Sequence, residues 1–346
     1  MKILENDTPN ELVFELVNVD TSFANALRRI LLAEVPTVAL EHIYIYNNSS
    51  LIHDEVLSHR MGLVPLMIDA RRLDEVDEDD DSPTDRNTVV FKLKVACASK
   101  ATVAAANKSR DNFNDSEDDD DEVVQSNADL EEVAAEAANV TDQNKPRKLQ
   151  FPKDRPYTKH VYSKDLMWVP QGDQKDRFED IRPVHDDILI AKLRPGQEID
   201  LEAHGRRGIG KDHSKYSPVA TASYRLMPLI ELVEPVYDEL ADELVHVYEP
   251  GVFELVPTDS RDPAGVSRKA KVCNPYACTM SRNYMRHPEL EKAVSMSRVP
   301  DHFIFSVESV GMYKPAVLVA EALRILQRKC QRVMDLVDES VAKTSA

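Results

Sequence analysis

Two apolar stripes at helical spacing, one near each end of the 346-residue chain, most constrain how it can fold. Phe23, Ala26, Leu27, Ile30 and Leu31 recur at i, i+3, i+4, i+7 and i+8, which places them on one face of a helix. Asn25, Arg28, Arg29 and Glu34 lie off that stripe. Asp20, Thr21 or Ser22 can cap the helix, because a short oxygen-bearing side chain accepts from an unpaired backbone N–H. Pro36 stops it, since the residue before a proline is pushed out of the helical region. The second stripe is Val319, Leu323, Leu326, Cys330, Val333 and Val337, spaced 4, 3, 4, 3, 4. That 3.5-residue repeat is the seam of a helix packed lengthwise on others. The spacing predicts helices over 21–34 and from Pro315 to about Val341, the latter with its proline where a missing N–H costs nothing. The two stripes are expected to cover each other and the equivalent faces of a partner. Left bare, they would form the kind of apolar patch that marks an interaction site.

Outside them the chain reads mostly as strands. ELVFELVN at 11–18 is mostly apolar on both faces, with Glu15 between Val13 and Val17, so that strand is largely covered on both sides. Val38 to Tyr46 is β-rich, and Asn47–Ser50 is a turn. In 88–97, Val89, Phe91, Leu93, Val95 and Cys97 share one face opposite Lys92 and Lys94, a half-buried strand. DILIAKL and QEIDLEAH flank Arg194-Pro195-Gly196 and read as a hairpin-like pair. A Gly- and base-rich loop over 204–218 leads to a strand at 219–226. Residues 229–310 read as short strands and an irregular Pro/Cys region, with 302–309 the clearest strand.

The net charge of −18 is confined to two segments. Asp74–Asp81 holds seven acids, and Asp111–Asn144 holds thirteen with no Lys or Arg. Removing those 20 charges leaves about +2, so the folded body has no concentrated basic face and no direct nucleic-acid site is predicted. Residues 74–85 read as a solvated loop tip, and about 99–147 as an acidic disordered insertion with a transient helix at 129–138. The start of the chain has no secretory signal pattern. No apolar run reaches the ~20 residues of a membrane span. Cys97, Cys273, Cys278 and Cys330 suggest reduced thiols and an intracellular protein.

Candidate chemistry is thin. Gly205 to Lys211, GRRGIGK, fits the first seven positions of a phosphate loop, so a P-loop-like nucleotide-binding protein is the alternative function. Against it, Asp212 stands where a Mg²⁺-binding hydroxyl belongs, and the chain runs on to a strand instead of a helix. Cys273 and Cys278 are one pair where a closed zinc site needs four ligands, and buried or neutral thiols are the better reading. His53, His59, His185, His204 and His213 form no ligand-spaced set. Asp54-Glu55 has no nucleophile or metal cluster beside it and reads as an acid pair at a helix N-terminus. No catalytic, cofactor-binding or metal residue is expected.

The residues Asn25-Ala-Leu-Arg28-Arg29, Ala39, Asn47-Asn48-Ser49 and Asp54-Glu55-Val-Leu-Ser-His-Arg60 together resemble the signature of the archaeal and eukaryotic alpha-like RNA polymerase subunits. Met61 replaces the usual Leu or Ile, and the lead before the first strand is short. Three further blocks, 181–201, 208–228 and 301–309, resemble the type shared by nuclear RNA polymerases I and III. The resemblance runs over nearly the whole chain apart from the acidic insertion. It implies an α+β fold with a discontinuous helix-and-sheet dimerisation domain at 1–45 and 229–346, and a mostly β insert domain at 46–228. It also implies a heterodimer with a small alpha-like subunit, on which large catalytic subunits and small assembly subunits gather in the nucleolus and nucleoplasm to transcribe rRNA, tRNA and 5S RNA. Its dimer interface would be the two stripes. Arg28, Arg29, Asp54, Glu55, Arg60 and Lys211 would meet the large subunits. Some relatives carry zinc or an iron–sulfur cluster, which the cysteines here do not support.

Overall fold

The computed structural model describes residues 2–5, 8–75, 82–97, 158–258, 263 and 265–345. The expected acidic insertion at 99–147 and its transient helix lie outside these residues, as do residues 76–81 of the acidic loop tip.

Among the described residues the strands are β1 (Lys2–Glu5), β2 (Glu11–Val17), β3 (Thr37–Asn48), β4 (Leu66–Met67), β5 (Thr88–Ala96), β6 (Lys159–Tyr162) and β7 (Met167–Val169). They continue as β8 (Arg182–Pro183), β9 (Leu189–Leu193), β10 (Glu198–Gly208), β11 (Val219–Leu232), β12 (Phe253–Pro257), β13 (Arg268–Val272) and β14 (Val294–Ser309). The helices are α1 (Thr21–Ala33), α2 (Asp54–Gly62), α3 (Gln174–Arg177), α4 (Asp238–Val247), α5 (Pro288–Ala293) and α6 (Pro315–Ser345). The architecture is mixed α+β, as the resemblance implies.

Two four-stranded sheets dominate. The first has the order β1-β2-β14-β11 and joins the two ends of the chain, with Phe14 opposite Phe305 and Leu16 opposite Phe303. Its inner face carries Leu12, Phe14, Leu16, Phe303, Phe305 and Val307 beneath α1 and the first turns of α6. Phe14 and Phe305 stack with ring centroids 5.1 Å apart. The second sheet has the order β3-β10-β5-β7 and buries Phe91, Leu93 and Leu201 against Leu57 and Met61 of α2. In β5 the alternation predicted from sequence holds: Val89, Phe91, Leu93, Val95 and Cys97 are buried and Lys92 and Lys94 exposed. A third cluster, around Val236, Leu244, Tyr248, Phe253, Tyr284 and Leu290, is built from α4, α5 and the β12–β13 pair.

Several elements differ from the sequence reading. The Pro-Gly turn at 194–196 forms, with Gln197 N–H donating to the Arg194 carbonyl at 2.9 Å, but its flanking strands are not a hairpin. β9 pairs with β6, and β10 lies between β3 and β5 with both edges occupied. The stretch read as a Gly- and base-rich loop over 204–218 begins as strand, with Gly205 paired to Leu40 on one side and Val89 on the other, and becomes loop only after Gly208. The region expected to hold short strands ends in the 16-residue β14, paired along β11. The expected boundaries at 45/46 and 228/229 fall inside β3 and β11, where continuous pairing keeps each strand in one sheet. The change of sheet comes after Pro36 and before Val219.

The two sheet bodies are tied together. Ala70 N–H donates to the Tyr313 hydroxyl at 2.8 Å, and Arg71 lies over the Tyr313 ring at 5.8 Å. Burial pushes that hydroxyl up to about 12, so it stays a neutral donor and acceptor. Gly311 sits at φ +113°, with a would-be Cβ only 2.5 Å from Val184, so a glycine is required at this crossing.

Phe305 is fully buried at the centre of the first sheet. Phe305→Ala is expected to cost about 3–5 kcal/mol of stability, the usual price of a large aromatic cavity, read as a lower urea midpoint for the loss of β-sheet signal.

Candidate partner-binding surface

Local chemistry sets α1. Asp20 caps it by accepting from Ser22 N–H at 2.7 Å, and Pro36 follows its end. Ala24, Leu27, Ile30 and Leu31 point into the first sheet. α6 lies beside α1 and buries Leu318, Val319, Ala322 and Ile325 in the same core. Lys329 Nζ then reaches the Glu34 carboxylate at 2.6 and 2.8 Å, pinning α6 to the end of α1.

Beyond that pin α6 runs past the core formed by the described residues. From Gln327 onward every described side chain is exposed, over about 28 Å of helix at 1.5 Å per residue. The exposed set includes Val333, Met334, Leu336, Val337 and Val341, with Val333 59 % and Val337 52 % exposed. Most helical stability in proteins comes from a packed amphipathic face, which this segment does not have among the described residues.

The sequence-predicted seam therefore divides. Leu27, Ile30, Leu31 and Val319 are spent in the core of this chain; Leu27 is 1 % exposed. Phe23 and Leu323, each 37 % exposed, with half-buried Ala26 and Leu326 and exposed Cys330, Val333 and Val337, form the outer half. Ala24, which lies off the predicted stripe, is fully buried because the inner face of α1 is turned one residue from the pattern.

The six residues expected to meet large subunits occupy three places. Arg28 folds back onto its own helix, donating to Asn25 Oδ1 at 2.9 Å, and Arg29 is exposed beside it. Asp54 and Glu55 open α2, where carboxylates face the positive end of the helix dipole. Asp54 accepts from Asn48 Nδ2 at 2.6 Å. Arg60 donates to the Leu189 and Ile190 carbonyls at 2.6 and 3.0 Å, so its guanidinium ties α2 to β9. Lys211 N–H donates to the Ala33 carbonyl at 2.8 Å, which sets its loop against the end of α1.

That loop does not cradle phosphate. Strand pairing consumes the Gly205 backbone groups, and only a short 3₁₀ turn, Ser214–Tyr216, precedes β11. The glycines answer to sterics instead. A Cβ on Gly210 would lie 2.3 Å from the Leu32 carbonyl oxygen, and one on Gly208 would lie 2.6 Å from the Tyr216 ring. Among the described residues no group of three or more His, Cys, Asp or Glu comes together around a metal site.

One polar cluster was invisible in the sequence. Glu15, on β2, is buried beneath the third cluster, where Tyr276 Oη donates to it at 2.9 Å. His302 Nε2 lies 2.9 Å from the same oxygen, and Lys2 Nζ is 3.7 Å from the other. Burial acts to raise the Glu15 carboxyl, but the bonds from His302 and Tyr276 and the Lys2 charge outweigh it and hold it below the usual range. Arg225 adds two bonds to the Cys278 and Tyr276 carbonyls at 2.9 and 2.6 Å. Together they fasten the third cluster to the sheet that carries α1 and α6.

Comparison with known proteins gives this geometry a family. Residues 13–330 match the RNA polymerase Rpb3/Rpb11 dimerisation domain. The chain is 44 % identical over 332 residues to the DNA-directed RNA polymerases I and III subunit RPAC1 of Bos taurus, covering 95 % of this chain and 82 % of that one. Identity to the RPAC1 subunit of Saccharomyces cerevisiae is 39 % over 326 residues, 93 % of this chain and 82 % of the other. Subunit 3 of the DNA-directed RNA polymerases II, IV and V of Arabidopsis thaliana is 32 % identical over 338 residues, 95 % of this chain and 88 % of its own length.

Glu15→Gln is expected to lower the melting temperature at neutral pH. A carboxyl held below its ordinary value of 4.5 stabilises the fold above that pH and loses the contribution as pH falls through the lowered value. The gap between wild type and variant should therefore close on acidification, as read by melts across a pH series.

Proposed function

Because the chain belongs to the RNA polymerase Rpb3/Rpb11 dimerisation family, we propose that it is a non-catalytic assembly subunit shared by nuclear RNA polymerases I and III. The RPAC1 relatives are named for those two enzymes. One observation carries the reading: the outer seam of α6 is bare while the inner face of its first turns is packed, and on α1 Phe23 is likewise exposed and Ala26 half-buried. A small alpha-like subunit presenting an equivalent helix pair covers it, giving a heterodimer. Large catalytic subunits and small assembly subunits then gather on the faces bearing Arg28 and Arg29, Asp54, Glu55 and Lys211. Arg60 shapes the α2 surface from within through its bonds to β9. The complex works in the nucleus, in nucleolus and nucleoplasm, on rRNA, tRNA and 5S RNA genes. A phosphate-loop function has no support in the strand pairing at Gly205.

Co-expression with a small alpha-like subunit, followed by size exclusion and mass measurement, should yield a one-to-one complex. Val333→Asp and Val337→Asp should leave the monomer's melting temperature nearly unchanged and weaken pairing by about 3 kcal/mol, roughly a hundredfold in Kd. Leu27→Asp, by contrast, should unfold the chain, because its side chain is already enclosed. Pairing at wild-type strength in both valine variants would remove α6 from the interface.

A further inference from the structure

A second unfilled surface lies on the other sheet body, away from α6. A groove of about 400 Å³ runs between the outer edge of β3 and α2, with Leu40, Gly62 and Lys215 at its base and His42, His59 and His213 along it. Among the described residues β3 pairs with β10 alone and ends its sheet. Such an edge carries unpaired N–H and C=O groups that can template another strand. Two register shifts bracket His42–Ile45, which run in step with His204–Leu201 of β10. This leaves a four-residue stretch of regular edge. Its exposed side chain is Tyr44, 49 % exposed, where a protected edge would carry lysine or proline.

Lys215 and Glu41 neutralise each other at the groove, so its histidines are left to meet an incoming group. Its carboxylate, Glu41, is already engaged by the Lys215 ammonium and by the Tyr216 hydroxyl, which donates to it at 2.6 Å. Lys215 Nζ also donates to the Leu40 carbonyl at 3.2 Å, closing the base. His213 Nδ1 accepts from Lys215 N–H at 3.1 Å, so in the neutral ring Nε2 carries the proton and is a donor. His59 stands beside it with ring centroids 6.2 Å apart. Gly62 allows α2 to come this close, since a Cβ there would lie 3.2 Å from the Leu40 oxygen.

We propose that this groove receives an extended segment of a partner protein, which adds as a short strand along His42–Ile45 and places a carboxylate side chain against His59 and His213. Main-chain bonds to the edge supply affinity, and the imidazole donors select an acidic over a basic side chain. The site is distinct from the α6 seam and does not depend on which protein covers that seam.

The test uses the full chain and a fluorescein-labelled peptide, Thr-Glu-Val-Glu-Thr, followed by anisotropy. Saturable binding is expected. It should weaken by about tenfold or more, a change of about 1.4 kcal/mol, when lysine replaces both glutamates and again when alternate peptide nitrogens are methylated. The double variant His59→Ala, His213→Ala should weaken the glutamate peptide to a similar degree while still pairing with a small alpha-like subunit through α6. No saturable binding, equal binding of the lysine peptide, or full binding by the methylated peptide would overturn the proposal. The peptide arms use wild-type protein, so a folding defect in the histidine variant cannot decide the outcome.

Discussion

The pairing of β2 with β14 is the constraint on which the rest of the structure depends. It joins residues 11–17 to residues 302–308, so one ladder closes nearly the whole chain. The stacked Phe14 and Phe305 rings sit at its centre, and α1 and α6 can pack only on the face this ladder creates. Closing so long a loop costs chain entropy before any contact returns it. The body of β3, β5, β7 and β10 is complete by residue 208 and needs no such closure. During synthesis that body can form first, while the first sheet waits for its last strand.

The connections between the bodies are therefore as important as their cores. Tyr313 and Gly311 sit where α6 begins and meet Ala70, Arg71 and Val184 of the second body. The Gly208–Lys211 turn returns from that body and rests on the end of α1. Glu15, Tyr276 and Arg225 hold the third cluster to the outer side of the first sheet. Each contact is a small number of bonds, and each places a helix or loop that carries part of the outer surface.

Much of this could be read from the residues, for reasons of range. The stripes of α1 and α6 and the alternation of β5 are local periodicities, visible without knowing any neighbour. Pairing is not local. The Pro-Gly turn at 194–196 announced a reversal, but only the occupied edges of β10 decide that β9 pairs elsewhere. GRRGIGK looked like a loop throughout because glycine is usually loop-forming; its first four residues are strand, and its missing side chains admit Tyr216, Leu32 and the neighbouring strands. Which half of a helical stripe faces inward depends on the sheet below it, so Leu27 and Val333 looked alike in sequence and are opposite in burial. Glu15 offered only a charge among apolar neighbours; its partners lie 261 and 287 residues away.

The uncovered length of α6 has a consequence for supply. A helix with five large apolar side chains in water is a handle for chaperones and proteases whenever it is bare. Any copy of this chain made in excess of what covers α6 carries that handle, and any covered copy has lost it. On the proposed pairing, steady-state abundance is set by whichever of the two proteins is scarcer, so the exposed end of one helix would enforce the stoichiometry.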